Sequence, residues 1–298
     1  MAKIATHLWF DTQAVAAAEF YCAAFENSQV RHKSQIHDTP SGAVDILGID
    51  LMGVPFELIS AGPYFKINSS ISMMVACRSK EEVNALWEKF SPDSNVMMPL
   101  DSYFFSERYG WLEDKYGVSW QFMFDVEGEA KQAITPTLMF SGERIGQAKA
   151  AMEFYTAVFS GRGDAEINVL HPYDDQGDAS RRGMVMHATF TLLGSSFHAM
   201  DSGVDHDIPF NEAISFIVSC QDQEEIDYYW EQMSAVPESE QCGWLKDKYG
   251  VSWQILPAIM DDMMRNGSEQ QRAAVTQAFL KMKKFDIAAL QTAFSAAA

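Results

Sequence analysis

Polar side chains recur at alternate positions of predicted strands whose other face is apolar. Leu8 and Phe10 share one face of the first predicted strand, so His7 and Trp9 must lie on the opposite face. A later strand places Glu57 in the same way. Histidine and glutamate side chains bind divalent metal ions and transfer protons, so these positions are the first candidates for chemistry.

The same alternation selects further residues along the whole chain. The candidate ligand-binding residues are, in chain order, His7, Trp9, Glu57, Ser72, Gln121, Thr137, His198, Ser215 and Gln254. Hydroxyl and amide groups hydrogen-bond organic ligands readily but are weak ligands for transition metals. A lone histidine such as His198 acts as a general base only when its pKa lies near neutrality. The sequence therefore assigns no catalytic residue.

An internal repeat organises the elements that must position these residues. Residues 110–121 recur as residues 243–254 with eleven of twelve positions identical, at an offset of 133. Other blocks recur in the same order at offsets between 130 and 143, which indicates insertions and deletions in loops. The sequence therefore predicts two copies of one domain, at residues 1–127 and 134–257, joined by residues 128–133.

Each copy is predicted to fold as two βαβββ units. A strand-like segment is followed by a helix with one apolar face and by three more strands, and the pattern then restarts. Ser79 with Glu82 caps a helix in the first copy, and Asp222 with Glu225 takes the same place in the second. We therefore expect an α+β fold of two tandem domains, with four such units in all.

Residues 258–298 lie outside the repeat and are predicted to form a helical tail. Ser268 with Gln271 predicts the start of one amphipathic helix, and Asp286 predicts the start of a second. We expect this tail to pack on the two domains or on a partner subunit. We also expect the two domains to pair with each other, and a homodimer is an open alternative.

Composition limits the classes of partner. The 298 residues include 22 basic and 41 acidic side chains, which gives a net charge of −19. Such a chain repels phosphate groups, so we expect neither nucleic acid nor an anionic membrane as a partner. No apolar run reaches the length of a transmembrane helix, and the opening segment lacks the apolar core of a signal peptide. We therefore expect a cytoplasmic protein.

Two segments carry a family resemblance. They are residues 210–216, with the sequence FNEAISF, and residues 242–254, with the sequence CGWLKDKYGVSWQ. Together with the paired βαβββ units, they resemble the PhnB-like branch of the vicinal oxygen chelate superfamily, which includes glyoxalase, bleomycin-resistance and extradiol dioxygenase proteins. Members of this branch are often labelled 3-demethylubiquinone-9 3-methyltransferase. The resemblance implies strands that curl into a cup holding a metal ion or a small ligand.

The resemblance also implies which strand positions hold the metal in metal-dependent relatives. At these positions the first copy has His7, Glu57, Ser72 and Gln121, and the second copy has Thr137, His198, Ser215 and Gln254. A transition metal needs three or four ligands that are mostly histidine, cysteine or carboxylate. Neither copy has a full set.

The best candidate for a divalent metal site is His7, Glu57 and Gln121 in the first copy. Two alternatives are open at this point. Thr6 fits the implied position as well as His7 does, and Glu57 can pair with an arginine such as Arg31.

Three functions are consistent with these residues. The first, which we favour, is binding of a small molecule in the strand-lined cup without a full metal site. The second is a metal-dependent lyase, isomerase or dioxygenase reaction at His7, Glu57 and Gln121, in which the metal polarises substrate oxygens. The third is a methyltransferase reaction. It is disfavoured because the Gly-x-Gly sequence at residues 161–163 follows a helix, whereas a nucleotide-type cofactor loop follows a strand.

Overall fold

The structure is a computed structural model that describes residues 4–39, 41–126, 128, 130–173 and 179–297. The strands are β1 (Ile4–Phe10), β2 (Gln29–Thr39), β3 (Gly42–Leu51), β4 (Val54–Ser60), β5 (Ile71–Cys77), β6 (Asn95–Tyr103), β7 (Ser106–Glu113), β8 (Ser119–Phe124), β9 (Ile134–Phe140), β10 (Ala165–Pro172), β11 (Val185–Leu192), β12 (Ser195–Asp201), β13 (Ile214–Cys220), β14 (Trp244–Lys246) and β15 (Ser252–Pro257). The helices are α1 (Ala14–Ala24), α2 (Lys80–Phe90), α3 (Ala148–Ser160), α4 (Gln223–Met233), α5 (Ile259–Asn266), α6 (Glu269–Phe279) and α7 (Ile287–Ala296). Short 3₁₀ turns lie at Gly142–Arg144, Ala179–Arg181 and Pro237–Ser239.

Some residues of the predicted segments lie outside the described residues. They are residues 1–3, 40 and 127 of the first copy, residue 129 of the joint, residues 174–178 of the second copy and residue 298 of the tail. Within the described ranges, no helix is both long enough and apolar enough to cross a membrane.

In the described part of the chain, the strands form two mixed sheets, and each sheet takes strands from both copies. The seven-stranded sheet has the order β14-β15-β13-β1-β4-β3-β2. The eight-stranded sheet has the order β10-β11-β12-β9-β5-β8-β7-β6. The two copies meet where β1 pairs with β13 and where β5 pairs with β9, both in antiparallel fashion. The first unit of copy one therefore shares a sheet with the last unit of copy two, and the two middle units share the other sheet.

Each sheet has one face covered by helices and an opposite face that we call the inner face. On the covered side, Leu8, Phe56 and Trp120 are fully buried and belong to one continuous apolar core with residues of α1–α4. Successive side chains of a strand point to opposite faces. The inner faces therefore carry the alternate, more polar residues of the same strands.

The last unit of the chain has one strand fewer than predicted. In copy one, β6 and the eight-residue β7 fill the interval after α2. In copy two, the only strand among the described residues 234–251, between α4 and β15, is the three-residue β14. The offset of the repeat falls from 143 at Trp230 to 133 at Gly243, so copy two lacks the residues for the additional strand. The prediction of four complete βαβββ units is therefore wrong for the last unit.

A buried aspartate organises each copy of the repeated block. The Asp114 carboxylate accepts hydrogen bonds from the Tyr21 hydroxyl at 2.7 Å and from the Trp120 indole at 2.9 Å. It also accepts bonds from the backbone N–H groups of Tyr116 and Val118. These bonds connect three elements: α1, β8 and the turn that follows β7. They also offset the loss of hydration that burial imposes on the carboxylate.

Asp247 makes the same set of contacts in copy two. It accepts hydrogen bonds from the Tyr155 hydroxyl at 2.8 Å and from the Trp253 indole at 2.9 Å. The backbone N–H groups of Tyr249 and Val251 complete the set. The identity of the two blocks in sequence thus corresponds to one hydrogen-bonded arrangement that occurs twice.

The C-terminal tail contains the two predicted helices, with α5 in addition. The Ser268 side chain accepts a hydrogen bond from the Gln271 N–H at the start of α6, and the Gln271 side chain completes the capping box. The Asp286 side chain accepts from the Ala289 N–H at the start of α7. Both predicted helix starts are confirmed.

The tail lies against copy two, beside the start of β14. The backbone N–H groups of Cys242 and Gly243 donate to the carbonyl groups of Met282 and Lys283. The Phe285 ring is buried next to Gly243. The tail therefore covers the end of the sheet where copy two lacks a strand.

Replacing Gly243 by alanine is expected to destabilise the protein and loosen the tail. Gly243 has a φ of +83°, and an added Cβ would lie 2.5 Å from the Phe285 ring and 2.9 Å from Leu256. The left-handed backbone costs a non-glycine residue about 1–2 kcal/mol, and displacing the packed ring costs about 1–3 kcal/mol more. We expect the free energy of unfolding to fall by about 3 kcal/mol. Urea unfolding and limited proteolysis of the tail measure the effect.

Gly53→Ala is the matched control for this prediction. Gly53 also has a φ of +83°, but an added Cβ there meets no atom within 4 Å. This variant should lose only the part of the stability that comes from backbone strain. Equal losses in the two variants would show that the Phe285 contact does not hold the tail in place.

Candidate functional site

Four of the predicted residues meet on the inner face of the seven-stranded sheet. His7 on β1 pairs in register with Glu57 on β4 and with Ser215 on β13. The Gln254 side chain on β15 donates a hydrogen bond to the Ser215 hydroxyl at 3.0 Å. We call His7, Glu57, Ser215 and Gln254 the first cup site.

The other four form a matching group on the inner face of the eight-stranded sheet. Thr137 on β9 pairs in register with Ser72 on β5 and with His198 on β12. The Gln121 side chain on β8 donates a hydrogen bond to the Ser72 hydroxyl at 2.6 Å. We call Ser72, Gln121, Thr137 and His198 the second cup site.

The prediction that each copy forms its own site is therefore wrong. Because the sheets combine strands of both copies, each cup site takes two residues from each copy. Gln121 lies in a different sheet from His7 and Glu57, so these three residues do not form the predicted metal site. Thr6 pairs with the buried Phe56 and shares its face, which leaves His7 on the inner face.

Trp9 lies on the inner face beside the first cup site. Its indole donates to the Gly62 carbonyl at 2.8 Å, and its ring packs edge-on against Phe65 at 5.1 Å between centroids. Trp244 on β14 is 6.2 Å from Trp9 and 5.3 Å from the His7 ring. The two tryptophans thus form an aromatic wall next to His7.

Glu57 is held by two basic side chains of β2. Arg31 Nη2 lies 2.8 Å from Oε1 of Glu57, and His32 Nε2 lies 3.3 Å from Oε2. Gly48 on β3 makes room for this contact, because an added Cβ there would collide with the His32 ring. The alternative prediction that Glu57 pairs with Arg31 is confirmed.

His32 connects this group to the tail. Arg265 Nη2 on α5 lies 3.2 Å from Nδ1 of His32. Arginine can only donate, so His32 must accept at Nδ1 and carry its proton on Nε2, from which it donates to Glu57. Both carboxylate oxygens of Glu57 are therefore engaged by protein side chains.

His7 is buried and uncharged at neutral pH. Its exposed fraction is 6%, and burial lowers its pKa from 6.5 to about 3. Its Nδ1 atom has no hydrogen-bond partner among the residues that the structure describes. A neutral imidazole can accept or donate one hydrogen bond at this nitrogen, depending on its tautomer.

Gln121 has a fixed orientation in the second cup site. The Tyr109 hydroxyl donates to its Oε1 at 2.6 Å, while its Nε2 donates to Ser72. At the matching position of the first cup site, copy two has Cys242 instead of a tyrosine. The two sites therefore present their glutamine amides differently.

The other two residues of the second cup site, Thr137 and His198, have polar atoms without hydrogen-bond partners among the described residues. These atoms are Thr137 Oγ1 and His198 Nδ1, and both are buried. Burial, together with the neighbouring His187, lowers the pKa of His198 to about 3. The two histidine rings are 5.0 Å apart. His198 is therefore also neutral at pH 7.

The donors of neither site fit a divalent metal. In the part of the chain that the structure describes, no group of three or more His, Cys, Asp or Glu side chains is placed to hold an ion. The first cup site has one histidine and one carboxylate, and that carboxylate already contacts Arg31 and His32. The second has one histidine and no carboxylate, with hydroxyl and amide groups as the other donors. Such sets are poor ligands for zinc and similar metals.

Sequence reasoning missed the residues that orient the two sites. His32 was missed because a register shift between Val30 and His32 interrupts the alternation of β2. Arg265 lies in α5, which carried no capping signal. Tyr109 had one usable signal, since it directly precedes the repeated block.

A protein-family model matches the chain twice. The family is described as 3-demethylubiquinone-9 3-methyltransferase, and the matches cover residues 2–123 and 132–256. They coincide closely with the two copies of the internal repeat. No curated protein matches the chain.

Solved structures that match the chain include both short and long proteins. A putative 3-demethylubiquinone-9 3-methyltransferase, a PhnB protein from Bacillus cereus, is 32% identical over 40% of this chain and 97% of its own, with a TM-score of 0.38. Glyoxalase I from Zea mays is 10% identical over 88% of this chain and 96% of its own, with a TM-score of 0.53. A putative dioxygenase from Bacillus subtilis is 13% identical over 85% of this chain and 84% of its own, with a TM-score of 0.49. The match to glyoxalase I spans both copies and identifies a glyoxalase-like fold.

Proposed function

The chain belongs to the 3-demethylubiquinone-9 3-methyltransferase family of the vicinal oxygen chelate superfamily, and we propose that it binds a small organic molecule at its cup sites without a divalent metal. The proposal rests on the buried polar atoms that have no partner among the described residues. These atoms are His7 Nδ1 in the first cup site, and Thr137 Oγ1 and His198 Nδ1 in the second. A buried polar atom without a hydrogen bond costs about 1–3 kcal/mol, and a ligand that supplies the bond recovers part of this free energy.

Binding is favoured over acid–base catalysis because the histidines are weak bases. The pKa values of His7 and His198 are lowered to about 3, so both rings are neutral at pH 7. An efficient general base has a pKa close to the working pH. A neutral ring with an unpaired nitrogen is better suited to hydrogen-bond a ligand than to remove its proton.

Neither alternative reaction has comparable support. A metal-dependent lyase, isomerase or dioxygenase needs more histidine and carboxylate ligands than either cup site supplies. A methyltransferase of the usual nucleotide-binding type needs a parallel sheet with a glycine-rich turn after a strand. In the described part of the chain, both sheets are mixed, and the glycines at 161 and 163 follow α3.

Metal analysis and a thermal-shift screen test this proposal on the purified full chain. After incubation with Zn²⁺, Ni²⁺, Mn²⁺ or Fe²⁺ and removal of the excess, we expect well below one metal ion per chain. In a panel of small organic metabolites, we expect ligands that raise the melting temperature, since binding at 100 times Kd stabilises the folded state by about 2.7 kcal/mol.

Variants and one further ligand provide the controls. Thr137→Val removes the unpartnered Oγ1 while keeping the shape of the side chain, so it should reduce the shift caused by ligands of the second cup site. One metal ion per chain that is lost in His7→Ala would contradict the proposal and support the metal-dependent reaction. Stoichiometric binding of S-adenosylmethionine by calorimetry would support the methyltransferase reaction instead.

A further inference from the structure

We infer that the second cup site is the ligand-binding one and that its ligand is a neutral, planar aromatic molecule with one polar group. This inference rests on the proposed function and adds the location and the chemical class of the ligand. It is carried by the methionine-rich lining of the inner face around Thr137 and His198, and by an exposed aromatic hairpin at its edge.

Methionine side chains dominate the inner face of the eight-stranded sheet. Met74, Met139, Tyr109 and Trp111 form a buried cluster that is separate from the main core of the protein. Partly buried side chains pack against this cluster, among them Met97, Met98, Met123 and Met200. Six of the 17 methionines in the chain therefore belong to this one surface.

Such a lining suits an aromatic ligand. Methionine is unbranched and flexible, so the cluster can fill the site in the absence of a ligand and rearrange around one at little cost. Its polarizable sulfur atom makes favourable contacts with aromatic rings. A leucine or valine lining would lack both properties. Branched side chains are less flexible, and they carry no sulfur atom.

The polar end of the site indicates that the ligand is uncharged. Thr137 Oγ1 and His198 Nδ1 have no partner among the described residues and lie on the strands that carry Met139 and Met200, two positions away. His198 is neutral at pH 7, so this end offers hydrogen bonds without a compensating charge. A phenol, ketone or arylamine matches these groups, whereas the desolvation of a charged ligand would not be offset.

The hairpin between β6 and β7 supplies an exposed aromatic edge. Phe104 is 86% exposed and Phe105 is 46% exposed. The Phe105 ring packs on Tyr103 at 5.6 Å and on Tyr109 at 4.9 Å, so the exposed rings are continuous with the buried cluster. Exposed apolar patches mark interaction sites, and ligand-binding grooves are among these. We assign this patch as the ligand entrance because it is continuous with the buried cluster.

The same hairpin is built to deform. The pairing of β6 with β7 has three register shifts between Val96 and Tyr103. Irregular pairing of this kind leaves few ladder hydrogen bonds to break, so the hairpin can move to admit a ligand.

The first cup site differs at each of these features. Trp9 and Ile59 form the pair that corresponds to Met139 and Met200 in the other sheet. The Trp9 ring is fixed by its hydrogen bond to Gly62, and copy two has no counterpart of β6 in the described chain. The first cup site is therefore stiffer and lacks the methionine lining, and this difference supplies a matched control.

Binding of N-phenyl-1-naphthylamine, a neutral aromatic amine that fluoresces in apolar surroundings, tests the inference. We expect the full chain to bind about one equivalent. Met200→Gln places an amide in the lining and should weaken binding about fivefold or more. Ile59→Gln makes the corresponding change in the other sheet and should alter binding less than about twofold. Circular dichroism verifies that both variants fold, and Met123→Gln replaces Met200→Gln if that variant does not.

The possible outcomes distinguish failure of this inference from failure of the proposed function. Loss of binding in Met200→Gln alone supports the second cup site. Loss in Ile59→Gln alone, equal losses in both variants, or no loss in either would overturn the inference. If the probe does not bind but other organic molecules of the thermal-shift panel do, the ligand class is wrong and the proposed function stands. If no organic molecule binds, both fail.

Discussion

Replacing Asp247 by alanine is expected to lower the free energy of unfolding by about 4 kcal/mol. The carboxylate accepts four hydrogen bonds, from the side chains of Tyr155 and Trp253 and from the backbone of Tyr249 and Val251. Its removal leaves all four donors buried or half-buried without an acceptor, and it opens the turn before β15. Urea unfolding of the variant against the original protein measures the loss.

Two further variants show whether the loss comes from the whole arrangement. Tyr155→Phe removes one of the four hydrogen bonds and should cost only about 1–2 kcal/mol. Asp114→Ala removes the equivalent carboxylate of copy one and should cost about as much as Asp247→Ala. A loss in Asp247→Ala no larger than that in Tyr155→Phe would mean that the carboxylate does not organise the block.

Stability is expected to fall between pH 7 and pH 5, and His7 is expected to contribute about 2 kcal/mol of that fall. The pKa of His7 is near 6.5 in the unfolded chain and about 3 in the folded protein. Between these values the unfolded chain binds the extra proton and the folded protein does not, so acidification favours unfolding. The contribution is complete above pH 6.5 and is lost as the pH falls toward 3. Burial also lowers the pKa of His198 to about 3, so His198 should add a similar share in the same direction.

The buried aspartates act in the opposite direction, so the prediction must be tested by difference. Burial raises the pKa values of Asp114 and Asp247 above their usual range, which means that protonation of these carboxylates favours the folded state. We therefore compare the stability change from pH 7 to pH 5 in the original protein and in His7→Phe, whose ring cannot be protonated. The variant should lose about 2 kcal/mol less. His37→Phe, at an exposed histidine, is the control and should behave like the original protein. An unchanged pH dependence in His7→Phe would contradict the neutral, buried state of His7.

The sequence is sufficient to identify the inner-face residues but not to group them. Alternation is a local property with a period of two, so it separates His7 from Leu8 without knowledge of any other strand. The neighbour of His7 on one side is Ser215, in the other copy of the repeat. No local pattern specifies such a distant pairing, and the simplest assumption, that each copy closes on itself, gave the wrong groups.

The repeated block shows the same limit. Its recurrence is evident in the sequence, but its four tryptophans do not share one environment: Trp120 and Trp253 lie in the main core, whereas Trp111 and Trp244 lie on the inner faces. The role of Asp114 becomes visible only when Tyr21, 93 residues earlier in the chain, reaches the carboxylate in the folded protein. Arg265, which reaches His32 from 233 residues later in the chain, escapes sequence analysis for the same reason.

The interleaving of the two copies has a consequence for symmetry. In a homodimer of single copies, the two-fold axis would force both pockets to be chemically identical. In this chain each cup site takes two of its four residues from each copy, and the two copies do not have identical residues at these positions. His7 therefore lies beside Glu57 in one pocket, while its counterpart Thr137 lies beside His198 in the other. Joining the copies thus releases the pockets from the symmetry constraint, so that one can specialise for a ligand without altering the other.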